Sequence, residues 1–157
     1  MKLNKISNLL SLGLTLLCGN STVARAQDNS APQIIQANTT AEFDKLLKEH
    51  KLVVVQFFNP TCPVCMAVKR KGIFPKTAKA LPHIAFAMTS SEQGANLHRE
   101  YKIGAFPTFV FFRNGKEIGR YKGYVEAPQF INKVSGIFSA AELNQPDTAP
   151  AAGPNQD

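Results

Sequence analysis

The sequence predicts an α/β domain with a central mixed sheet of about four or five strands and helices on both faces. Residues 52–58 (LVVVQFF) are almost continuously apolar and rich in β-formers, which is typical of a central strand buried on both faces. Asn114-Gly115 is a strong signal for a β-hairpin turn. Residues 128–138 have the apolar spacing of an amphipathic helix.

The domain begins with a short predicted strand and a helix. Residues 33–36 are the strand. Thr40 is expected to cap a helix that continues through residue 49. Three apolar residues at helical spacing predict its inward face: Phe43, Leu46 and Leu47.

The middle of the domain follows the central strand 52–58. Residues 63–81 are predicted to be helical, but Gly72 and Pro75 interrupt them, so we expect a kink or two pieces. Residues 84–88 are a second buried strand, and residues 93–101 a short helix.

The last part of the domain is a hairpin followed by a helix. Residues 107–112 and 118–123 are its two strands. The closing helix 128–138 is expected to point four residues inward: Phe130, Ile131, Val134 and Phe138. The predicted order is therefore β-α-β-α-β-α-β-β-α.

The first 26 residues have the pattern of a secretory signal. Lys2 and Lys5 give a positive start, and residues 9–17 are apolar but too short to span a bilayer as a stable helix. Small residues at Ala24 and Ala26 form a cleavage site. We expect cleavage after Ala26 and export to a bacterial periplasm; an uncleaved N-terminal anchor is the alternative.

The rest of the chain divides into three parts. Residues 27–32 are a polar lead-in, and residues 33–139 are the folded domain, long enough for one core. Residues 140–157 combine three prolines with Ala, Asn, Gln and Asp and have almost nothing to bury, so we expect a disordered tail.

The charge of the chain argues against a nucleic-acid partner. The formal net charge is +7, and without the signal it falls to +4, from 15 basic and 11 acidic residues. No basic cluster or aromatic RNA-binding signature accompanies it.

The cysteines carry the chemistry. Cys18 lies in the signal, which leaves Cys62-Pro63-Val64-Cys65 after a strand and at the start of a helix. With Cys62 as the cap and Pro63 in the first helical position, the spacing places both sulfurs within disulfide reach. The helix N-terminus stabilises a thiolate on Cys62, the more exposed sulfur. Cys65 lies one turn further in and is shielded. The pattern predicts dithiol–disulfide exchange, with Cys62 as nucleophile and Cys65 as resolving thiol.

A cysteine pair can also have three roles other than dithiol–disulfide exchange. A structural disulfide would close too short a loop to remove much entropy from the unfolded chain. A zinc site needs two more ligands, and the candidates His83 and His98 do not have the spacing of a zinc finger. Haem attachment is excluded because Met66 stands where a histidine is required. We expect no metal or organic cofactor.

Three further sequence features follow the cysteine pair along the chain. The strand with its cysteines at 53–65 is followed by GAFPTF at 104–109 and FFRNGK at 111–116, and then by Gly123. On these motifs the chain resembles the thioredoxin superfamily over essentially all of its folded part. The resemblance implies a thioredoxin fold, a cis-proline at Pro107 beside the active site, and backbone groups of Phe106 offered to a substrate segment. A plain proline at a strand start is the alternative for Pro107.

The motif departs from thioredoxin itself, which has WCGPC. Thr61 replaces the tryptophan, and Pro63-Val64 replaces Gly-Pro. Proline directly after the first cysteine is similar to glutaredoxins and strong periplasmic oxidants. Val64, however, lacks the histidine that helps to stabilise the thiolate in those oxidants.

A second departure lies behind the cysteines. The buried aspartate of thioredoxin falls on Gln56, and its neighbouring lysine falls on Met88. Loss of both avoids a buried charge without its partner, but leaves no carboxylate as general base for Cys65. We expect water ordered by Gln56 to assist the attack of Cys65 on mixed disulfides. We also expect this resolution step to be slower than in thioredoxin. A hydrogen-bonded core amide is the alternative role for Gln56.

These features predict a periplasmic thiol–disulfide oxidoreductase. Reductase is the preferred direction because the motif lacks one thiolate stabiliser and the chain lacks the helical insertion of strong oxidants. The expected partners are cysteine-containing exported proteins and a membrane or periplasmic redox partner that supplies electrons. We expect a monomer. The alternatives are a periplasmic disulfide oxidase or isomerase and a non-catalytic thioredoxin-fold binding module.

Overall fold

The structure is a computed structural model that describes residues 32–143. The predicted signal, nearly all of the polar lead-in and the last fourteen residues lie outside the described residues, so their assignments stay predictions. No helix within residues 32–143 is long and apolar enough to cross a membrane.

One mixed sheet organises the domain. Its strands are β1 (Ile35–Gln36), β2 (Leu52–Phe58), β3 (Ala85–Ser90), β4 (Thr108–Arg113) and β5 (Lys116–Lys122). The strand order is β1-β3-β2-β4-β5; β1 and β2 each pair with β3 in parallel, while β4 is antiparallel to both β2 and β5. The helices are α1 (Thr40–Glu49), α2 (Pro63–Arg70), α3 (Ile73–Ala80), α4 (Ala95–Glu100), α5 (Ala127–Ile137) and α6 (Ala140–Leu143). The predicted α/β class with a mixed, helix-covered sheet is confirmed.

Alternate residues of β2 face two separate cores. Val54 belongs to a cluster that includes Phe74 of α3 and Phe130 of α5. Val55 belongs to a cluster on the opposite face that includes Phe43 of α1. Because successive side chains of a strand point to opposite faces, a strand with a core on each side is apolar on both faces, and Gln56 is the one polar residue of β2. β2, the central strand, leads directly into the cysteine motif.

The predicted interruption after the cysteine motif occurs at Gly72. This residue separates α2 from α3 and has left-handed backbone angles, φ 61° and ψ 33°, which glycine adopts at little cost. The predicted interruption at Pro75 is wrong. Pro75 lies in the first turn of α3, where a missing N–H removes no helical hydrogen bond. The break leaves α2 as a short helix that carries both cysteines.

The predicted cap at Thr40 is also wrong. Thr39 caps α1: its hydroxyl oxygen accepts from the Glu42 N–H at 3.2 Å, and its own N–H donates to the Glu42 carboxylate at 3.0 Å. Glutamate three residues after the cap completes a capping box, which Thr40 has no partner to form. The three predicted inward residues of α1 are buried.

Two corrections concern the end of the domain. Ile131 is only partly buried, although Phe130, Val134 and Phe138 are buried as expected. Residues 140–143, which the sequence assigns to a disordered tail, form α6. The Ser139 hydroxyl accepts from the Glu142 N–H at 3.3 Å, and Arg113 donates to the Glu142 carboxylate at 2.9 Å. A polar cap and an ion pair thus hold a segment with little apolar surface. The other predicted boundaries agree to within about two residues, the usual uncertainty of helix and strand ends.

Candidate active site

The turn between β2 and α2 delivers Cys62 to the helix start. The Asn59 side-chain oxygen accepts from the N–H and the hydroxyl of Thr61, at 2.8 and 2.7 Å. The Asn59 carbonyl accepts from the Cys62 N–H at 3.1 Å. Asn59 is not among the residues predicted from the sequence; its signal is an asparagine followed by proline directly after a strand, which favours a turn closed by the side chain.

The two cysteines lie at the N-terminus of α2. Cys62 is the N-cap residue and Pro63 the first helical residue, as the sequence predicts. The Cys65 N–H donates to the Cys62 sulfur at 3.5 Å. Both cysteines are free thiols, so the structure shows the reduced form. Cys62 is partly exposed, whereas Cys65 is only 4% exposed.

The environment of Cys62 favours its thiolate. Burial alone would raise the pKa of this thiol, but hydrogen bonds from the Cys65 backbone, the Cys65 side chain and the Val64 backbone outweigh it. The net effect lowers the pKa of Cys62 below the usual value of a thiol. Backbone N–H groups without partners at a helix start account for this shift. Cys62 is therefore the thiol that ionises first.

The environment of Cys65 has the opposite effect. Burial, the largest cause, and the adjacent Cys62 together raise the pKa of Cys65 to about 11. A hydrogen bond with the backbone of Asn59 opposes the shift without cancelling it. Cys65 is thus protonated at neutral pH, and it can attack only after it loses this proton.

A loop before β4 lies against Cys62. The Phe106–Pro107 peptide bond is cis. The Cys62 thiol donates to the Phe106 carbonyl at a sulfur–oxygen distance of 3.7 Å. Pro107 is buried, and its carbonyl accepts from the Gly123 N–H at 2.8 Å. The structure thus brings the two predicted groove residues next to Cys62, although they are more than 40 positions away in sequence.

A cavity of about 540 Å³ lies behind the cysteines, and Cys65 forms part of its wall. Gln56, on β2, also lines it, is 2% exposed and pairs in register with Met88 on β3. The side-chain oxygen of Gln56 has no hydrogen-bond partner among the described residues. The other lining residues are mostly apolar: Ile34, Gln36, Phe58, Pro60, Met66, Val68, Lys69, Phe74, Pro75 and Met88. Gln36 and Lys69 are exposed, so Gln56 and Cys65 are the buried polar groups among the lining residues.

The outer surface around Cys62 is apolar. Pro63 is exposed, and so are Val64 at 39% and Met66 at 37%. Lys69 and Arg70 follow at the C-terminal end of α2, where positive charge suits the helix dipole. Of the three residues that the sequence predicts to modulate the site, Pro63 and Val64 face solvent beside Cys62, whereas Gln56 is buried.

The two histidines considered as zinc ligands lie elsewhere. His98 is buried on α4, and its Nε2 lies 3.2 Å from the Thr89 carbonyl oxygen. His83 lies after α3 and is partly exposed. Within residues 32–143, no group of three or more His, Cys, Asp or Glu residues is arranged to hold a metal ion.

Comparisons with known proteins agree with this geometry. The family described as Thioredoxin matches residues 34–136. Mouse glutaredoxin-3 is 31% identical over 113 residues, which cover 71% of this chain and 33% of that protein. The protein disulfide-isomerase of Medicago sativa is 28% identical over 157 residues, which cover 94% of this chain and 30% of that protein. The chain thus spans about a third of the length of these relatives. The X-ray structure of Fasciola hepatica thioredoxin is 30% identical, with a TM-score of 0.57 over 65% of this chain and 100% of that chain.

Proposed function

The chain belongs to the thioredoxin family, and on that premise we propose that it catalyses thiol–disulfide exchange through Cys62 and Cys65. The observation that carries the proposal is the contrast between the two thiols. Cys62 is accessible and has a lowered pKa, while Cys65, one turn away, is buried and has a raised pKa. Exchange requires such an attacking sulfur with a second thiol held beside it.

The reaction proceeds in two balanced steps. The Cys62 thiolate attacks one sulfur of a substrate disulfide, forms a mixed disulfide and releases the other substrate sulfur as a thiolate. Cys65 then loses its proton and attacks the Cys62 sulfur, which releases the second substrate thiolate. The protein ends with a Cys62–Cys65 disulfide. Two electrons have passed to the substrate, and both released thiolates take up protons.

Gln56 is the residue that we assign to the second step. Cys65 and the unpartnered Gln56 oxygen line the same cavity, which is large enough for water. A water held there accepts the Cys65 proton and donates a hydrogen bond to Gln56. Among residues 32–143 no carboxylate lines this cavity, so proton removal is slower than with a buried aspartate as base.

Phe106 and Pro107 shape the place where the substrate segment lies. Their loop runs beside Cys62, and Val64 and Met66 expose apolar side chains on the helix that Cys62 caps. A segment with a disulfide could pair with the Phe106 backbone while its apolar side chains cover this surface. Apolar patches of this kind are typical of protein-binding sites.

The direction and place of the reaction are further parts of the proposal. Residues 1–26 direct export to the periplasm, where the protein acts as a reductase. Val64 supports this direction, since it provides no charge to stabilise the Cys62 thiolate and so to favour the dithiol form. A reductase in an oxidising compartment consumes its dithiol, so a membrane redox partner must restore it.

The reduction potential tests this direction. The purified chain without residues 1–26 would be equilibrated with glutathione or dithiothreitol buffers of known ratio, and the fraction of Cys62–Cys65 disulfide measured. We expect about −250 mV or lower, which is the range of reductases. A potential near about −120 mV would reverse the direction and make the protein an oxidase.

A further inference from the structure

His98 is a buried residue outside the cysteine motif, and the proposed mechanism assigns it no role. It lies on α4, is 7% exposed, and packs its ring between two aromatic side chains. The ring centroid lies 5.1 Å from that of Phe57 and 5.5 Å from that of Phe106. Phe57 belongs to β2, whereas Phe106 belongs to the loop beside Cys62. His98 therefore joins the sheet to the loop that contacts the nucleophile.

The position of α4 depends on close contact with the end of β3. A Cβ atom at Gly94, just before the helix, would lie 2.2 Å from the Thr89 hydroxyl oxygen. The Gly94 N–H donates to the Ser90 carbonyl at 2.7 Å. Only glycine allows this approach, which brings the side chain of His98 over the end of the sheet.

Two hydrogen bonds fix His98 itself. Its Nε2 lies 3.2 Å from the Thr89 carbonyl oxygen, and because a carbonyl only accepts, Nε2 carries the proton. The backbone carbonyl of His98 accepts from the Ile103 N–H at 2.8 Å, at the start of the loop that leads to Phe106. Burial lowers the pKa of His98, and the Thr89 carbonyl only partly opposes this, so the ring is neutral at pH 7.

The far side of the loop explains why this anchoring matters. The Phe106 ring contacts His98, and the Phe106 carbonyl accepts a hydrogen bond from the Cys62 thiol. A hydrogen bond from a thiol to a carbonyl stabilises the protonated sulfur and opposes thiolate formation. The position of Phe106 therefore affects both the nucleophile and the backbone offered to a substrate.

We propose that His98 is a positioning residue, whose ring holds Phe106 so that the Phe106 carbonyl faces the Cys62 thiol. This inference rests on the proposed function, because its purpose is to arrange the nucleophile and the substrate segment. Its consequence is specific. When the ring contact is lost, the thiol loses an acceptor, so the pKa of Cys62 falls, while a less ordered Phe106 weakens substrate binding. The hydrogen bonds from Cys65 and Val64 to the Cys62 sulfur stay in place.

Two variants separate the two contacts of His98. His98→Gln keeps a donor for the Thr89 carbonyl and removes the ring, whereas His98→Phe keeps a ring and removes the donor. Leu97→Ala is the control, because Leu97 is a buried core residue on the same helix and its truncation destabilises the fold. Circular dichroism and thermal melting establish that each variant is folded.

The readouts are the pH profile of Cys62 alkylation by iodoacetamide and the kinetics of insulin reduction with dithiothreitol as electron donor. For His98→Gln we expect a Cys62 pKa lower by about half a unit, a shift within the usual range for protein thiols. The KM for insulin should rise about fivefold, the equivalent of one hydrogen bond, with little change in kcat. His98→Phe keeps the ring contact with Phe106 but loses the Thr89 hydrogen bond, so both measurements should shift clearly less than in His98→Gln.

Some results would overturn the proposal. An unchanged Cys62 pKa in His98→Gln, with a melting temperature lowered as in Leu97→Ala, would leave His98 a purely structural residue. Equal shifts of the Cys62 pKa in His98→Gln and His98→Phe would also contradict it, since the ring would then not be the cause. If the native protein does not reduce insulin, the proposed function fails. The alkylation profiles still decide the role of His98, because they require no turnover.

Discussion

Cys62 and Cys65 lie one helical turn apart, and their surroundings differ in opposite directions. Cys62 caps the helix, where backbone N–H groups of Val64 and Cys65 reach its sulfur and lower its pKa. Cys65 is enclosed by the helix and by the cavity wall, and burial raises its pKa to about 11. In the proposed mechanism the same residue type therefore serves as nucleophile at position 62 and as the protonated resolving thiol at position 65.

The comparison shows that depth along the helix, more than sequence spacing, separates the two roles. Spacing places the sulfurs within reach of each other, but only the first position meets the unpaired N–H groups of the helix start. The turn formed by Asn59 fixes this arrangement, since its carbonyl holds the Cys62 N–H and its backbone also contacts the Cys65 thiol. Substitutions can change the surroundings of Cys62 or of Cys65 separately.

Removal of either sulfur should give the largest effects, and the two losses should differ in kind. Cys62→Ser should reduce insulin reduction to the uncatalysed background, because no accessible thiolate is left. Cys65→Ser should still react once through Cys62 and then stop as a mixed disulfide, because no resolving thiol follows. Turnover assays and intact-mass spectrometry distinguish these outcomes. If a mixed disulfide accumulates in Cys62→Ser instead, Cys65 is the nucleophile and Cys62 is the resolving thiol, contrary to the assignment.

Replacement of Gln56 should slow only the second step. Gln56→Ala removes the acceptor that we assign to a water beside Cys65, and we expect resolution to slow about fivefold to tenfold, the equivalent of one or two hydrogen bonds. Ellman's reagent separates the steps: attack by Cys62 releases the first thionitrobenzoate, and attack by Cys65 releases the second. Met88→Leu is the control, since it changes an apolar wall of the same cavity. If the second thionitrobenzoate is released at the same rate in Gln56→Ala and the native protein, Gln56 is a core amide with no kinetic role.

A histidine beside the nucleophile should sharpen the contrast between the thiols. In Val64→His, a partly protonated imidazole near the Cys62 sulfur should lower the pKa of Cys62 by about half a unit. The stabilised dithiol should shift the reduction potential in the oxidising direction. Arg70→His places the same side chain on an exposed position at the end of α2, about two turns from Cys62, and should have little effect. A Cys62 alkylation profile that is the same in both variants would contradict the assumed role of position 64.

The sequence predicts local features of the fold well, because hydrophobic periodicity and capping are encoded within a few residues. The central strand, the break at Gly72 and the cysteines at a helix start all follow from such patterns. The choice between Thr39 and Thr40 as cap fails for a similar local reason: both residues can cap, and the position of Glu42 decides between them.

The parts of the site that the sequence does not predict depend on contacts between distant elements. The cavity behind Cys65 takes its shape from side chains of β1, β2, β3, α2 and α3 together. The contact between His98 and Phe106 depends on how α4 is seated by Gly94 against the end of β3. The family resemblance locates Gln56 and Met88 as neighbours, and the strand register pairs them, but it does not show the unpartnered oxygen.

The most direct test of the central claim is competitive alkylation of the two cysteines. The reduced protein would be exposed briefly to iodoacetamide at a series of pH values from 6 to 10, and each cysteine quantified by peptide mass spectrometry. With a pKa of about 11, only about one Cys65 thiol in a thousand is ionised at pH 8. We therefore predict that Cys62 is alkylated first throughout this range, with its midpoint below that of an ordinary thiol. Equal alkylation of both cysteines, or earlier modification of Cys65, would contradict the account.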